Sequence, residues 1–502
     1  MSQPPAGPPL LTRPPGQQVA PPTSGRGGWG ALVPALALPV VMVVVLVAVL
    51  GIGRPSRDES LAGAGDPYHP SYGASGYDAQ HYLIDITVDG TTVGGVTEMT
   101  ARATHELAEI HVDLALPVSA AWVDGEEADV ETWPEHDVEI TPDRPVAEGR
   151  TFVVRIAYAG DPLEVAPVRG VRTPWYRQGD EQGAAGQPES SAWWFPANDH
   201  PSDPALMESR IRVRAGTQAV STGALVSRDI GTEADWDTWH WRASQPMATY
   251  LNFVVVGRYR LEAGQVAGRP YVYAVSEALP PDQQQRLLAE LAETPQWVAA
   301  LEEHLGPYPF TEMGGVVPSF PFWFGGLETQ TRPVYHVGSL DDPGFADTLL
   351  VHELAHMWFG DHVTLERWDD IFVNEAWASY LEWVVAEDEG GRTAQQELQR
   401  HYDALAGRAD FWRVRMDDPG AEQLFATVYE RGPMALQALR NVMGEAEFTT
   451  LMREWAQRGG TASLEDFVAE ARARTEADLD PWYDAWISGT TAPPRTAEVG
   501  LG

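Results

Sequence analysis

Past its first fifty residues the chain changes hydrophobic rhythm once. From Tyr77 to about Leu261 apolar and polar positions tend to alternate, as in His81–Val88 (HYLIDITV), Val138-Glu-Ile140 and Phe152–Tyr158 (FVVRIAY). That is the period of strands with one buried face, and turn signals such as Val123-Asp-Gly125 fall between them. No repeat is visible, and residues 161–192 read as a long surface loop containing Gly179–Gly186 (GDEQGAAG). After Arg269-Pro270 the apolar spacing turns helical: Leu287, Leu288, Leu291, Val298 and Leu301 share a face of one expected helix over 282–304. Further helical patterns cover 370–388, 394–406, 433–443, 446–457, 463–474 and 480–487. The expected fold is α+β: a mostly antiparallel β domain over 77–265, then a mostly helical domain with a short sheet over 266–488. Residues 489–502 read as a Thr/Pro/Gly tail.

The start of the chain follows neither rhythm. Residues 1–28 are rich in Pro, Gly and Gln, carry Arg13 and Arg26 and no acid, and read as a disordered cytoplasmic tail. An uncharged run then extends from Gly30 to Gly53, about 24 residues, enough to cross a bilayer core with some tilt. A spanning helix is expected over 29–53, with 54–76 as a flexible tether. Lys and Arg counts on the two sides are about equal, so they do not set the orientation. The expected arrangement is a single-pass anchor with its N-terminus inside and the acidic bulk of the chain outside the cell. Ala62-Gly-Ala-Gly65 leaves a cleaved secretory leader as the alternative.

Charge narrows the partners. With 34 basic against 72 acidic residues the net charge is −38, which argues against a nucleic-acid partner. The surface field would weakly favour cationic ligands. There is no cysteine, so any zinc must be held by His and carboxylate groups.

Such a group stands in Val351-His-Glu-Leu-Ala-His356. Residues four apart share a helix face, so His352 and His356 offer two imidazoles to one point, and Glu353 can reach a water held there. In a chain with 13 His, an H-E-x-x-H match arises by chance only about 0.03 times. Thr348–Val351 leads into the motif, apolar Leu354, Ala355, Trp358 and Phe359 follow, and Gly360 marks a stop.

His352–His356, eighteen further residues and then Glu375 in Val373-Asn-Glu-Ala-Trp377 resemble the gluzincin metallopeptidases of the aminopeptidase N family. The resemblance implies a thermolysin-like catalytic domain with one Zn²⁺ per chain, held by His352, His356 and Glu375. Gly325-Gly-Leu-Glu-Thr329 is similar to the family's Gly-Ala-Met-Glu-Asn signature, with Leu327 and Thr329 departing from it. By that likeness Glu328 binds the substrate's free α-ammonium, and Gly325 and Gly326 belong to the substrate site. Val428-Tyr-Glu-Arg-Gly432 is similar to Tyr-Glu-Lys-Gly, which makes Tyr429 the donor to the oxyanion. Trp194–Asp203 is similar to a β-domain stretch of the family, and counting back from it brings Gln187 to the substrate's N-terminal end. Phe320, Phe322, Trp323 and Phe324 either line a specificity pocket or pack as core. The likeness runs from about Tyr77 to Ser488 and includes Tyr77–Tyr82 and Pro246–Leu251. Met357 and Ala376 stand where Gln and Gly are common. Larger members continue into a helical C-terminal domain for which this sequence has no residues, which would leave a more open cleft.

The expected activity is a membrane-anchored zinc aminopeptidase acting on peptides with a free N-terminus, with Glu353 as general base. A zinc endopeptidase or other hydrolase on the same scaffold is the nearer alternative. A non-catalytic peptide-binding membrane protein is the other, though no base or ligand is lost. The oligomeric state is open.

Overall fold

Alternation becomes a wall of strands. In the computed structural model, which describes residues 61–166, 173–188 and 190–502, Tyr77, Ala79, Tyr82, Ile84, Ile86 and Val88 of strand Tyr77–Asp89 are buried and most residues between them are not. The strand pairs antiparallel with Thr92–Ala103 through a turn in which Gly90 takes φ +60°, a conformation only glycine adopts freely. Ten strands follow one another across the sheet: Ala224–Glu233, Trp236–Arg242, Leu206–Arg214, Tyr77–Asp89, Thr92–Ala103, Thr151–Gly160, Val118–Val123, Glu126–Thr132, Asp137–Thr141 and Ile110–Asp113. All named pairs are antiparallel except Tyr77–Asp89 with Leu206–Arg214, which run parallel.

Part of the stretch expected as a surface loop is instead sheet. Trp175–Gln178 and Glu181–Ala184 form a hairpin in a four-stranded sheet with Val254–Gly257 and Gln218–Ser221. Trp175, Glu181 and Ala184 are buried, so tertiary packing overrides the turn-rich composition of this segment.

A third sheet belongs to the helical half: Tyr259–Val266, Arg269–Ser276, Met313–Val317, Val334–Tyr335 and Gly326–Leu327, in that order. The expected boundary at 265/266 cuts its first hairpin, because Tyr259–Val266 pairs residue for residue with Arg269–Ser276. The single helix expected over 282–304 is two, Pro281–Leu291 and Thr294–Leu305, the second restarting with a proline in its first turn. Ala346–Ala355, Phe372–Asp388, Ala394–Leu405, Val428–Met443, Glu445–Ala456, Leu464–Ala473 and Asp480–Trp486 follow. Helix Val428–Met443 begins earlier than 433 because Pro433 lies inside it rather than at its start. Gly432 makes that possible, since a Cβ there would lie 2.6 Å from the Cβ of Ala376 on helix Phe372–Asp388.

Both expected flexible ends are tied down where they are described. Leu61, Ala62 and Tyr72 of the tether are buried, and Asp66 accepts backbone N–H groups from Tyr68, His69 and Trp368. The segment 489–502 is not a free tail: Trp486 Nε1 donates to Val499 O at 2.8 Å, Tyr402 donates to Pro493 O, and Val499 and Leu501 are buried. The expected tail 1–28, spanning helix 29–53 and first tether residues 54–60 lie outside the described residues. Among the described residues no helix is long and apolar enough to cross a membrane.

Candidate active site

Helix Ala346–Ala355 has no solvent face in its second half, where every residue from Leu349 to Ala355 is buried. His352 and Glu353 therefore sit inside the protein, and His356 follows as the residue that closes the helix. The chain turns away at Gly360, whose φ of +122° a side chain would strain. Glu375 occupies the first turn of helix Phe372–Asp388, set by the short turn Trp368–Asp370 ahead of it.

These elements bring three donors to one point. The Nε2 atoms of His352 and His356 are 3.2 Å apart, and each lies 3.4 Å from Glu375 Oε2. Zinc bound tetrahedrally at about 2.0–2.1 Å needs ligand atoms about 3.3–3.4 Å apart, the edge of that tetrahedron. Glu375 Oε2 is buried without a hydrogen bond of its own, so its lone pairs are free for an ion. The outer ring nitrogens are held from behind: His352 Nδ1 is 2.7 Å from Glu382 Oε1, and His356 Nδ1 is 2.9 Å from Phe359 O. Each imidazole thereby turns Nε2 inward, the arrangement of a metal-binding histidine. The residues fit a zinc ion.

The remaining candidates line one cavity with the three donors: Gln187, Gly326, Glu328, Glu353 and Tyr429. Gly325 is not in that lining; its carbonyl accepts from His336 N instead. Carboxylate oxygens of Glu328 and Glu353 and a ring nitrogen of His356 lie within 4.8 Å of one another. Glu328 follows edge strand Gly326–Leu327, and its Oε1 accepts from Gln187 Nε2 at 3.0 Å and Tyr250 OH at 3.2 Å. Gly326 has no room for a side chain, since a Cβ there would stand 2.3 Å from Glu353 Oε1. The Tyr429 ring lies 5.8 Å from that of His352.

Burial governs the ionisation of these groups. It lifts Glu353 to about 8, against the lowering pull of His352 and His356. Burial would also raise Glu375, but the charges of His356 and His352, each 3.4 Å from its Oε2, outweigh it and draw that carboxylate to about 2. Glu328 is raised by burial, with His356 opposing. Burial, then the nearby Glu375, Glu328 and Glu353 charges, push the Tyr429 phenol well above its ordinary value, so it stays an O–H donor.

The aromatic run divides. Phe320 and Phe322 are buried and pack on Tyr176, with centroids 5.6 Å and 5.0 Å away, whereas Trp323 and Phe324 line the cavity with Phe425. Sequence reasoning missed Glu382, Tyr250 and Phe425. Glu382 stands two helical turns after Glu375, a same-face spacing that could have revealed it. Tyr250 lies in a stretch already singled out, but nothing local points its hydroxyl at Glu328.

Residues 304–486 match the Peptidase family M1 domain. Leucine aminopeptidase 2 of Ajellomyces capsulatus is 23% identical over 333 residues, 60% of this chain and 51% of that protein. Leukotriene A-4 hydrolase of Xenopus laevis is 29% identical over 217 residues, 42% of this chain and 33% of that protein. The chain thus spans about half the length, or less, of these curated relatives. An M1 zinc metallopeptidase from Deinococcus radiodurans superposes with a TM-score of 0.76 at 27% identity, over 86% of this chain and 98% of its own. That likeness takes in both the β-rich half and the helices that carry the three donors, so the domain match, the curated relatives and the solved structure all support kinship with the M1 zinc metallopeptidases.

Proposed function

We propose that the protein is an aminopeptidase that hydrolyses the first peptide bond of substrates with a free N-terminus. The observation that carries this reading is the position of Glu328, a buried carboxylate within 4.8 Å of a His356 ring nitrogen and a Glu353 oxygen. In any amino acid the carbonyl carbon lies only about 2.5 Å from the α-nitrogen, by bond lengths and angle. An ammonium paired with Glu328 therefore delivers the first carbonyl, and no later one, to the three donors.

His352, His356 and Glu375 would hold the zinc. When bound, it supplies Lewis acidity to the scissile carbonyl and acidifies the attacking water. Glu353 takes the proton from that water and returns it to the leaving amine, a role that its buried carboxylate beside the His356 ring nitrogen is placed to fill. Tyr429 donates to the oxygen on which negative charge develops. Gln187 and Tyr250 fix the Glu328 carboxylate by their hydrogen bonds, so its orientation is set before substrate arrives. A crystal structure of a mutant of the Deinococcus radiodurans relative contains a Tyr-Ser-Ala substrate, and this supports small peptides as the substrate class.

The test compares a peptide with its N-acetylated form, with and without a chelator. Cleavage of the free form alone, lost on chelation and restored by zinc, is expected. Equal cleavage of both forms would overturn the aminopeptidase reading in favour of an endopeptidase. Glu353→Gln should retain zinc while turnover falls by about 10²–10⁴-fold, the ordinary contribution of a general base; full turnover in that variant would remove the assignment.

The same proposal includes a membrane anchor at 29–53 with the catalytic part outside the cell, resting on the uncharged run Gly30–Gly53. Carbonate-resistant membrane association, together with digestion of the catalytic part by protease added to intact cells, would support it. Release of a shortened chain into the medium would favour a cleaved leader.

A further inference from the structure

At the edge of the ten-stranded sheet farthest from Ala224–Glu233, two strands and the bend ahead of one of them place a second donor set. Strand Asp137–Thr141 lies between Glu126–Thr132 and Ile110–Asp113, with Glu139 opposite Glu131 on one side and His111 on the other. Glu109 lies two residues before His111, in the bend that leads into strand Ile110–Asp113. Glu109, His111 and Glu139 each offer a ligand atom, and the three atoms lie within 4.8 Å of one another.

The imidazole is oriented for the purpose. His111 is 1% exposed, and its Nδ1 lies 3.0 Å and 3.1 Å from the two oxygens of Asp137, which is outside the donor set. Nε2 is thereby directed at Glu109, whose Oε1 is 3.2 Å away. A carboxylate behind a histidine that faces further carboxylates is the outer support of metal-binding histidines, fixing tautomer and ring plane together. Trp133 Nε1 donates to Glu139 Oε2 at 2.9 Å and so anchors that carboxylate. Glu109 and Glu139 are half-buried, which leaves a path from solvent.

We propose that His111 Nε2 and the carboxylates of Glu109 and Glu139 form a second divalent-metal site, remote in the chain from the catalytic donors. One imidazole and two carboxylates suit zinc or a similar transition ion; calcium prefers six to eight oxygens. The competing occupant is a proton on Nε2, giving a buried imidazolium between Glu109 and Asp137.

The experiment uses the full chain, loaded with zinc, freed of excess by gel filtration and assayed for metal by mass spectrometry. Two zinc ions per chain are expected in the wild type, and one in Glu109→Gln and in Glu139→Gln. His352→Ala/His356→Ala, which removes the catalytic pair, should retain one. Asp137→Asn should weaken the second ion by about 10–100-fold without deleting a ligand. Circular dichroism checks that each variant is folded, and the two Gln variants are independent of each other should one fail. A single ion in the wild type overturns the proposal in favour of the proton. So does a second ion that survives both Gln substitutions, since it would be adventitious binding to an acidic surface.

Discussion

Gly326→Ala probes the site with one added carbon. An ideal Cβ at 326 would lie 2.3 Å from Glu353 Oε1, 2.6 Å from its Cδ and 2.8 Å from its Cγ. To restore ordinary contact near 3.4 Å the carboxylate must retreat by about 1 Å, and a displacement of that size at the reacting centre costs on the order of 10²-fold. At 1.36 kcal/mol for each tenfold, the barrier rises by about 2.7 kcal/mol. The strand should survive, because its pairing of Gly326 with Tyr335 is made by backbone, and zinc should survive, because Glu353 is not among its three donors. Gly325→Ala is the internal control: its Cβ would meet nothing closer than 3.5 Å. The assay is kcat/KM on an aminoacyl amide reporter, alongside zinc content and melting temperature for both variants. A roughly hundredfold loss at 326 and near-wild-type activity at 325 are expected, each with full zinc. Activity of Gly326→Ala within threefold of wild type would refute the reasoning, as would equal losses at the two positions.

Tyr250→Phe removes a hydrogen bond to the buried Glu328 carboxylate; at about 1.5–3 kcal/mol for a charged acceptor, kcat/KM for free peptides should fall by about 10–100-fold. Steady-state kinetics read this directly, and an unchanged kcat/KM would deny Tyr250 its positioning role. Gly432→Ala drives a Cβ to 2.6 Å from Ala376 Cβ and 2.8 Å from its Cα, so about 1–3 kcal/mol of stability should go, read as a lower denaturant midpoint. Asp203 is raised by burial to about 7, so its folded form prefers the proton more than the unfolded chain does, near its ordinary value of 3.8. Its contribution is therefore most favourable below about 4 and declines as pH rises to about 7, by at most about 1.4 kcal/mol per pH unit. Asp203→Asn should remove that part of the slope in a stability–pH series.

Legibility followed the distance over which each feature is encoded. His352 and His356 were readable as a ligand pair because helical geometry alone puts residues four apart on one face, and their Nε2 atoms meet at 3.2 Å. Glu375 depended on a chain spacing, since nothing in residues 357–374 by themselves dictates the turn between the two helices. The start of helix Val428–Met443 was misread because Pro433 usually opens a helix; here the packing of Gly432 on Ala376 holds the preceding turn in place. The segment 489–502 looked like a tail by composition, yet Val499 and Leu501 are covered by the helices it reaches.

By itself the sequence determined the strand and helix rhythms, the H-E-x-x-H pair and the exclusion of thiolate ligands, because each is a property of neighbours along the chain or of composition. Only the tertiary structure decided that the Tyr250 hydroxyl, 78 residues away in the chain, joins Gln187 in donating to Glu328. It likewise decided that a Cβ at Gly326 would displace the Glu353 carboxylate, and that the register of two strands sets His111 beside Glu139, with Glu109 in the bend ahead of the first. These contacts arise from how sheet edges and helix ends meet when apolar faces are buried, and no local pattern carries that information.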